Sequence, residues 1–481
     1  MERKFVGRQD ELEALQVLTR KQAASLVVVT GRRRIGKSRL IDEFARRNKR
    51  YKRAFISALA PQPGIGASEQ REGFARQLEL AVGLPPVKHD SWLALFTHLA
   101  RATDRGRWII LLDEVSWMAG GDPRFLPELK VVWDQQLAKN PQLILVLCGS
   151  VSSWLDRNIL SSTGFVGRVS LHLRVGELPL RQCNKFWSQA LASAYDRLKL
   201  LAVTGGVPRY LEEIVVSDSA DANVRRLCFT PEGLLFREFD QIFSDLFERR
   251  AEIYRDIVRA LQGGHKSLKE LFELLDRKNS GVLSTYLEEL AMAGFVRREH
   301  TWSLHSRSTS KLSRFRLSDN YLRFYLHYIL PNRERIESRR MGEAPLTALT
   351  GWDGLMALQF ENLVLQNRQA IWEACGLAPS EIELEGPFFQ TATRRRRGCQ
   401  IDYLIQTRGG PVYVCEIKLS RKRIGVEVED EVRQKIERLK LPKHCSPLPV
   451  LVHANEVTDS LQYGGFFARV VDFRRQLETA P

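Results

Sequence analysis

The stretch from Leu26 to Ser38, Leu-Val-Val-Val-Thr-Gly-Arg-Arg-Arg-Ile-Gly-Lys-Ser, constrains this chain more than any other. An apolar run rich in β-branched residues ends in Gly31, and Gly31 to Ser38 fits G-x-x-x-x-G-K-[ST]. The next residues, Arg39 to Ala45, read as a helix with Leu40, Ile41 and Phe44 on one side. A buried strand running into a glycine loop and then a helix is the setting this spacing needs. Loop N–H groups and a helix N-terminus both carry partial positive charge, so they can wrap phosphate oxygens. The expected nucleotide-binding residues are therefore Gly31, Arg32, Arg33, Arg34, Ile35, Gly36, Lys37, Ser38 and Arg39. Lys37 would reach the β- and γ-phosphates of ATP, and the Ser38 hydroxyl would sit on Mg²⁺.

A phosphate loop needs a second strand that ends in acid, and Trp108-Ile-Ile-Leu-Leu-Asp-Glu114 supplies one. Four aliphatic residues before two carboxylates describe a buried parallel strand emerging at its C-terminal edge, where α/β sheets place ligands. Asp113 is expected in the Mg²⁺ shell, and Glu114 beside the attacking water. A further strand, Leu143 to Ser150, ends in small polar residues. Ser150 either reads the γ-phosphate or caps the following helix. Arg168, after a polar loop, is either an arginine finger toward a neighbouring copy or a surface cation. Residues 4 to 18 read as an extended entry followed by a short amphipathic helix carrying Leu12, Leu15 and Leu18, with no chemistry of its own.

With 481 residues the chain exceeds what one core can bury. No run approaches the roughly 20 apolar residues of a membrane span, and the first residues lack the apolar core of a secretion signal. Seven scattered cysteines, never spaced C-x-x-C, point to a reducing cytoplasm and away from a disulfide or zinc framework. A net charge of +16, with arginines clumped at 32–34, 46–47, 339–340 and 394–397, favours polyanionic partners, DNA above all.

Beyond the strands, 176 to 235 turns helical, interrupted by Gly205-Gly-Val-Pro208, with Arg209 a turn into the next helix. Residues 252 to 305 give three helices and a β wing, the pattern of a winged helix-turn-helix. Glu288 and Glu289 on its third helix are a poor surface for phosphate, which favours a structural or protein-contact role. Aromatics at 321, 324, 325 and 328 follow helical spacing and suit packing between domains, and Asn332 to Arg340 reads as a linker. The tail holds a second chemical group. Glu361 lies on a helix, Asp402 on the strand 400–405, and Glu416 and Lys418 on the strand 412–419. Alternation puts Glu416 and Lys418 on one face. A helix about 427 to 440 brings Gln434 and Lys435 to the same edge. Carboxylates with a Glu-x-Lys make a Mg²⁺ site with an ammonium to orient water, or else a solvated strand face, or a metal site without turnover.

Together, Phe5-Val-Gly-Arg8, Gly31 to Ser38, Leu111-Leu-Asp-Glu114, Cys148-Gly-Ser150 and Gly205-Gly-Val-Pro208 resemble the archaeal-type ATPases of the AAA+/STAND branch. Glu361, Asp402 and Glu416-Ile-Lys418 resemble the PD-(D/E)XK nucleases, in the DUF234 version. The resemblance implies a multidomain α/β protein: a P-loop parallel-sheet ATPase core (1–175), a helical lid (176–240), a winged helix-turn-helix (241–305), a helical linker (306–345) and a restriction-endonuclease-like α/β domain (346–481). It also implies Walker A at Gly31 to Ser38, Walker B at Asp113 with Glu114 catalytic, and a sensor at Ser150. Glu361, Asp402 and Glu416 would be metal ligands, with Asp402, Glu416 and Lys418 catalytic. Asp402 follows Ile401 where that nuclease core often has proline. The expectation is an ATPase governing a Mg²⁺-dependent nuclease. Its rivals are a signalling switch whose tail binds without cutting, and an ATP-responsive DNA-binding regulator.

Overall fold

The computed structural model describes residues 5–83, 90–150, 152–187, 193–247, 251–276, 281–342, 344–392 and 397–478. Met1 to Lys4 and Arg394 to Arg396 of the arginine clump lie outside the described residues. The chain divides into two compact units: Met1–Glu177 with Ser244–Glu248 and Glu288–Gly294, and the remainder.

The first unit is a parallel sheet flanked by helices. Its strands are β1 (Ser25–Thr30), β2 (Lys52–Ser57), β3 (Trp108–Asp113), β4 (Leu143–Gly149) and β5 (Val169–Arg174), in the order β2-β3-β4-β1-β5. Every pairing is parallel. The apolar runs of β1, β3 and β4 are buried almost throughout, as strands covered on both faces must be. Helix α1 (Gln9–Leu18) precedes β1, and α2 (Lys37–Arg47) follows it. Helices α3 (Ala67–Val82) and α4 (Trp92–Ala102) lie between β2 and β3, and α5 (Val115–Ala119) and α6 (Phe125–Gln135) between β3 and β4. The core on one face is aromatic. Trp92 stacks on Phe96 at 5.5 Å and meets Phe74 and Phe125 edge-on at 5.5 and 4.8 Å. Because all strands are parallel, the residues that follow β1, β3 and β4 share one edge.

The second unit holds two more sheets. Strands β6 (Lys266–Ser267), β7 (Val296–Ser303) and β8 (Ser308–Leu317) form an antiparallel sheet in the order β6-β8-β7. Helices Ala251–Ala260, Leu268–Leu274 and Gly281–Met292 accompany them in sequence. Within 306–345, expected from the sequence to be a helical linker, Ser308–Leu317 is a long strand paired antiparallel to β7. Phe315 and Leu317 are buried there, and Arg316 is buried with them because Glu299 accepts from its Nε at 3.0 Å. Ile336 is fully buried and Arg333 pairs with Asp240 at 2.9 Å, while most of 332–340 is exposed. The aromatics at 321–328 do pack internally: Tyr321 is buried and its hydroxyl donates to the Leu235 carbonyl at 2.8 Å.

The last sheet runs β13 (Arg469–Asp472), β12 (Ser446–His453), β11 (Pro411–Lys418), β10 (Cys399–Thr407), β9 (Ile382–Gln390). Its β9-β10-β11 half is antiparallel and its β11-β12-β13 half parallel. Trp302 and Leu304, at and just after the end of β7, enter this sheet's core beside Phe388, Ile401 and Leu404, and the Trp302 indole donates to Gln406 at 2.9 Å. A buried amide network adds to the unit. Gln359, on the helix Trp352–Gln366, donates to the carbonyls of Ala202 and Asn320, each at 2.7 Å, and accepts from Arg323 at 3.0 Å. Among the described residues no helix is long and apolar enough to cross a membrane. All seven cysteines are buried thiols.

Candidate functional site

The loop between β1 and α2 turns on two glycines. Gly31 has φ of 150°, and a Cβ there would lie 2.4 Å from the Val175 carbonyl oxygen, so only glycine lets the two backbones approach. Gly36 sits at φ 91° and opens α2. Lys37 is buried and its ammonium donates to the Arg32 carbonyl at 3.2 Å, which folds the loop around itself. Arg32 is buried against Glu177 at 3.4 Å. Ile35 is fully buried, while Arg33, Arg34 and Arg39 are half-buried, with Arg34 at φ 65°.

The acidic pair falls where the parallel sheet predicts. The Ser38 hydroxyl donates to Asp113 Oδ2 at 2.6 Å, joining the α2 N-terminus to the end of β3. Glu114 holds φ 52°, a left-handed conformation that costs energy for a non-glycine residue. Its carboxylate is fixed from the end of β4: Ser150 donates to Glu114 Oε2 through both its backbone N–H (2.9 Å) and its hydroxyl (2.8 Å). Ser150 is buried, and its hydroxyl points at the carboxylate; neither of the roles expected for it from sequence describes that contact. His172 on β5 lies 2.9 Å from the Thr30 hydroxyl, and burial holds its imidazole below the usual pKa.

Arg8 is the residue sequence reasoning passed over. It is buried at φ 63°, donates to the Ile35 carbonyl in the loop at 3.1 Å and to Gly176 at 2.6 Å, and pairs with Glu11 at 3.0 Å. The entry segment thus braces the loop. Its signal in the sequence is the Phe5-Val-Gly-Arg8 segment, to which no role was given. Arg168 is held within its own chain by a bidentate pair to Asp134, at 2.7 and 2.9 Å. Those hydrogen bonds bring the Asp134 carboxyl down to about 2. Arg209 pairs with Glu213 at 2.5 Å.

The tail residues also converge. The Glu416 carboxylate is buried and meets Lys418 at 3.2 Å on its own strand. Lys435, from the helix Glu427–Arg438, is hydrogen-bonded to Glu416 and lies 3.9 Å from Asp402. Asp402 Oδ2 accepts from the Ile417 N–H at 2.9 Å. Burial, then the neighbouring Glu416, pushes the Asp402 carboxyl up to about 7. Burial raises Glu361 too, against the pull of Arg316 and Arg323. Burial alone would lower Lys435, but Asp402 and Glu416 outweigh it and raise it. Lys418 is raised as well, with Glu431 accepting from its ammonium at 2.6 Å. Among the described residues no three His, Cys, Asp or Glu lie close enough to hold a metal ion. Glu361, Asp402 and Glu416 therefore share one electrostatic neighbourhood without forming a ready coordination shell, and ammonium groups supply the balancing charge.

A glycine loop between strand and helix, a Ser–Asp contact beneath it and a glutamate fixed by the adjacent strand make up the phosphate-loop arrangement of Walker-type folds. Residues 5–214 match the model of a family described as an ATPase domain predominantly from Archaea. An uncharacterized protein of Methanocaldococcus jannaschii is 27% identical over 336 residues, covering 69% of this chain and 70% of the relative. A short uncharacterized ATP-binding protein of the same organism is 46% identical over 52 residues, 11% of this chain and 86% of its own length. Among solved structures, the Walker-type ATPase PABY2304 of Pyrococcus abyssi shares the fold at a TM-score of 0.50 and 18% identity, covering 67% of this chain and 96% of that one.

Proposed function

We propose that this chain hydrolyses ATP at the edge formed by β1, β3 and β4, and that nucleotide state governs a C-terminal nuclease-like domain acting on nucleic acid, DNA in particular. The observation that carries the reading is the convergence of Gly31 to Ser38, Asp113, Glu114 and Ser150 at one sheet edge. Lys37 and the loop N–H groups bind the phosphates, and Arg8 keeps the loop in shape from behind. A hydroxyl and a carboxylate oxygen meeting at Ser38 and Asp113 are hard donors that suit Mg²⁺, which would neutralise phosphate charge when bound. Glu114 takes the proton of the attacking water. The water oxygen bonds to the γ-phosphorus while the bond to the β-phosphate oxygen breaks and ADP leaves. Ser150 holds the Glu114 carboxylate in position for that transfer.

Residues 1–175 are then the ATPase core, 176–240 its lid, and 241 to Leu317 a winged helix. Residues 346–481 are a restriction-endonuclease-like domain. Its oxygen donors, Glu361, Asp402 and Glu416, are chemically suited to Mg²⁺, which would compete with Lys435 for their charge. Lys418 would steady charge developing on phosphate. A cleft of about 460 Å³ adjoins them, lined by Arg314, Phe389, Gln400, Lys435 and Arg438. The Arg314 guanidinium lies over the Phe389 ring at 5.1 Å, a surface suited to a nucleotide's phosphate and base. Seven buried thiols suit a reducing cytoplasm. An oligomer using Arg168 as a finger would first have to release it from Asp134.

One observation favours a second reading, a tail that binds a partner without cutting. Lys435 already supplies cationic charge at Glu416 and near Asp402. Incubation with plasmid, single-stranded DNA and RNA, with and without Mg²⁺ or Mn²⁺ and ATP, separates the two. The nuclease reading requires metal-dependent fragments that disappear in Asp402→Ala and Lys418→Ala while ATP turnover persists. Fragments surviving both changes, or none from any substrate, contradict it.

A further inference from the structure

The first unit carries a second polar feature on the sheet edge away from the phosphate loop, among residues that precede the strands. Lys49, Arg50 and Tyr51 lead directly into β2, Arg107 into β3, and Arg47 ends α2. With Gln16 and Thr19 from the end of α1, and Asn48, they line a cleft of about 480 Å³.

Its charge is one-sided, since no carboxylate lines it. Arg47 is paired with Glu43 at 2.8 Å, whereas Lys49, Arg50 and Arg107 form no ion pair among the described residues. Lys49 and Arg50 are exposed, and the Arg107 guanidinium lies over the half-buried Tyr51 ring at 6.0 Å. The floor is fixed. Gln16 and Asn48 exchange hydrogen bonds between their amides at 3.1 and 3.2 Å, and Asn48 also donates to the Phe44 carbonyl at 2.8 Å. That exchange ties the end of α1 to the C-terminus of α2, so the cations stand on a preformed surface.

We propose that this cleft docks the sugar–phosphate backbone of nucleic acid, independently of sequence. Three cations without carboxylate partners match a row of phosphates. A concave cleft with a polar amide floor fits a strand better than a flat anionic membrane or an acidic helix, which would bury no apolar face here. The chain's +16 charge draws such a ligand in from a distance. The site belongs to the ATPase unit and does not depend on the tail being a nuclease.

The test is binding of a fluorescein-labelled 20-base-pair duplex of arbitrary sequence to the full chain, followed by anisotropy with EDTA present and across a salt series. Lys49→Ala/Arg50→Ala/Arg107→Ala is expected to weaken binding about tenfold and to lower the salt slope by about three, one for each lost phosphate contact. Lys49→Arg/Arg50→Lys, which keeps the charge, is expected to bind as the parent does. ATP turnover, whose residues lie elsewhere, reports that the triple variant is folded; Lys49→Glu alone, at an exposed position, covers the case in which it is not. Unchanged affinity and slope in both charge variants overturn the proposal. So does loss confined to Arg314→Ala/Arg438→Ala in the tail cleft, or a defect only toward phosphatidylserine vesicles.

Discussion

The phosphate-loop edge and the tail carboxylates are both clusters of charge at the ends of strands, yet they are held in opposite ways. In the loop, the acids are tied by hydrogen bonds to hydroxyls and N–H groups: Asp113 to Ser38, Glu114 twice to Ser150. Those donors hold the carboxylates in place. In the tail, Glu416 and Asp402 are answered by the ammonium of Lys435, with Lys418 beside it. Hydrogen-bonded acids at a sheet edge form a site that exists before its ligand arrives. Acids balanced by ammonium groups form a site whose present charge partner and future ligand compete. The first kind is read as an ATPase with little further assumption, and the second is where the nuclease and the binding-only readings part.

The largest effect that would sharpen this contrast is expected for Glu114→Gln. Loss of a general base should slow ATP hydrolysis about 10²-fold to 10⁴-fold while nucleotide affinity stays near that of the parent. Equal loss of binding and turnover would mean that Glu114 shapes the loop instead. Next comes Lys435→Met, which leaves Glu416 and Asp402 without their nearer ammonium. Unfolding should become easier by about 2 kcal/mol, less than for a fully buried pair because Lys435 is partly exposed. Millimolar Mg²⁺ should recover part of that loss in the variant and little in the parent. No recovery would show that the carboxylates do not gather on a divalent cation.

The smallest effect is a pH dependence. The folded carboxyl of Asp402 titrates near 7 and its unfolded counterpart near 3.8, so the folded state holds the proton more tightly across that window. Stability contributed by this group is therefore present at low pH and falls as pH rises toward 7. Asp402→Asn keeps an acceptor for the Ile417 N–H and removes the charge. Scanning calorimetry should place its Tm about 2–4 °C above the parent at pH 8, with the two converging near pH 4. A variant less stable at pH 8 would show that the ammonium groups more than offset the burial of this carboxylate.

Much of the ATPase half was legible because its signals are local. Leu26 to Ser38 and Trp108 to Glu114 each carry strand, turn and chemistry in one contiguous stretch, and a parallel sheet then brings their ends to one edge. The features that were missed depend on partners far away in sequence. Nothing near Arg8 announces the Ile35 carbonyl, and nothing near Arg168 announces Asp134. Ser150 was placed at the right edge, but its bond to Glu114 required the relative register of β3 and β4. The strand Ser308–Leu317 shows a different failure. Arg314-Phe-Arg-Leu317 alternates as a strand should, yet it was merged with the aromatic helix that follows it. Lys435 was brought to the tail's edge by helical spacing; its role as the charge partner of Glu416 shows only once strand and helix pack together.

The central claim is that Gly31 to Ser38 turns ATP over independently of the tail. The most direct measurement is release of phosphate from ATP by the parent, Lys37→Ala and Asp402→Ala side by side in Mg²⁺. Turnover by the parent and Asp402→Ala, with none above background in Lys37→Ala, is the predicted result. Full turnover in Lys37→Ala would contradict it.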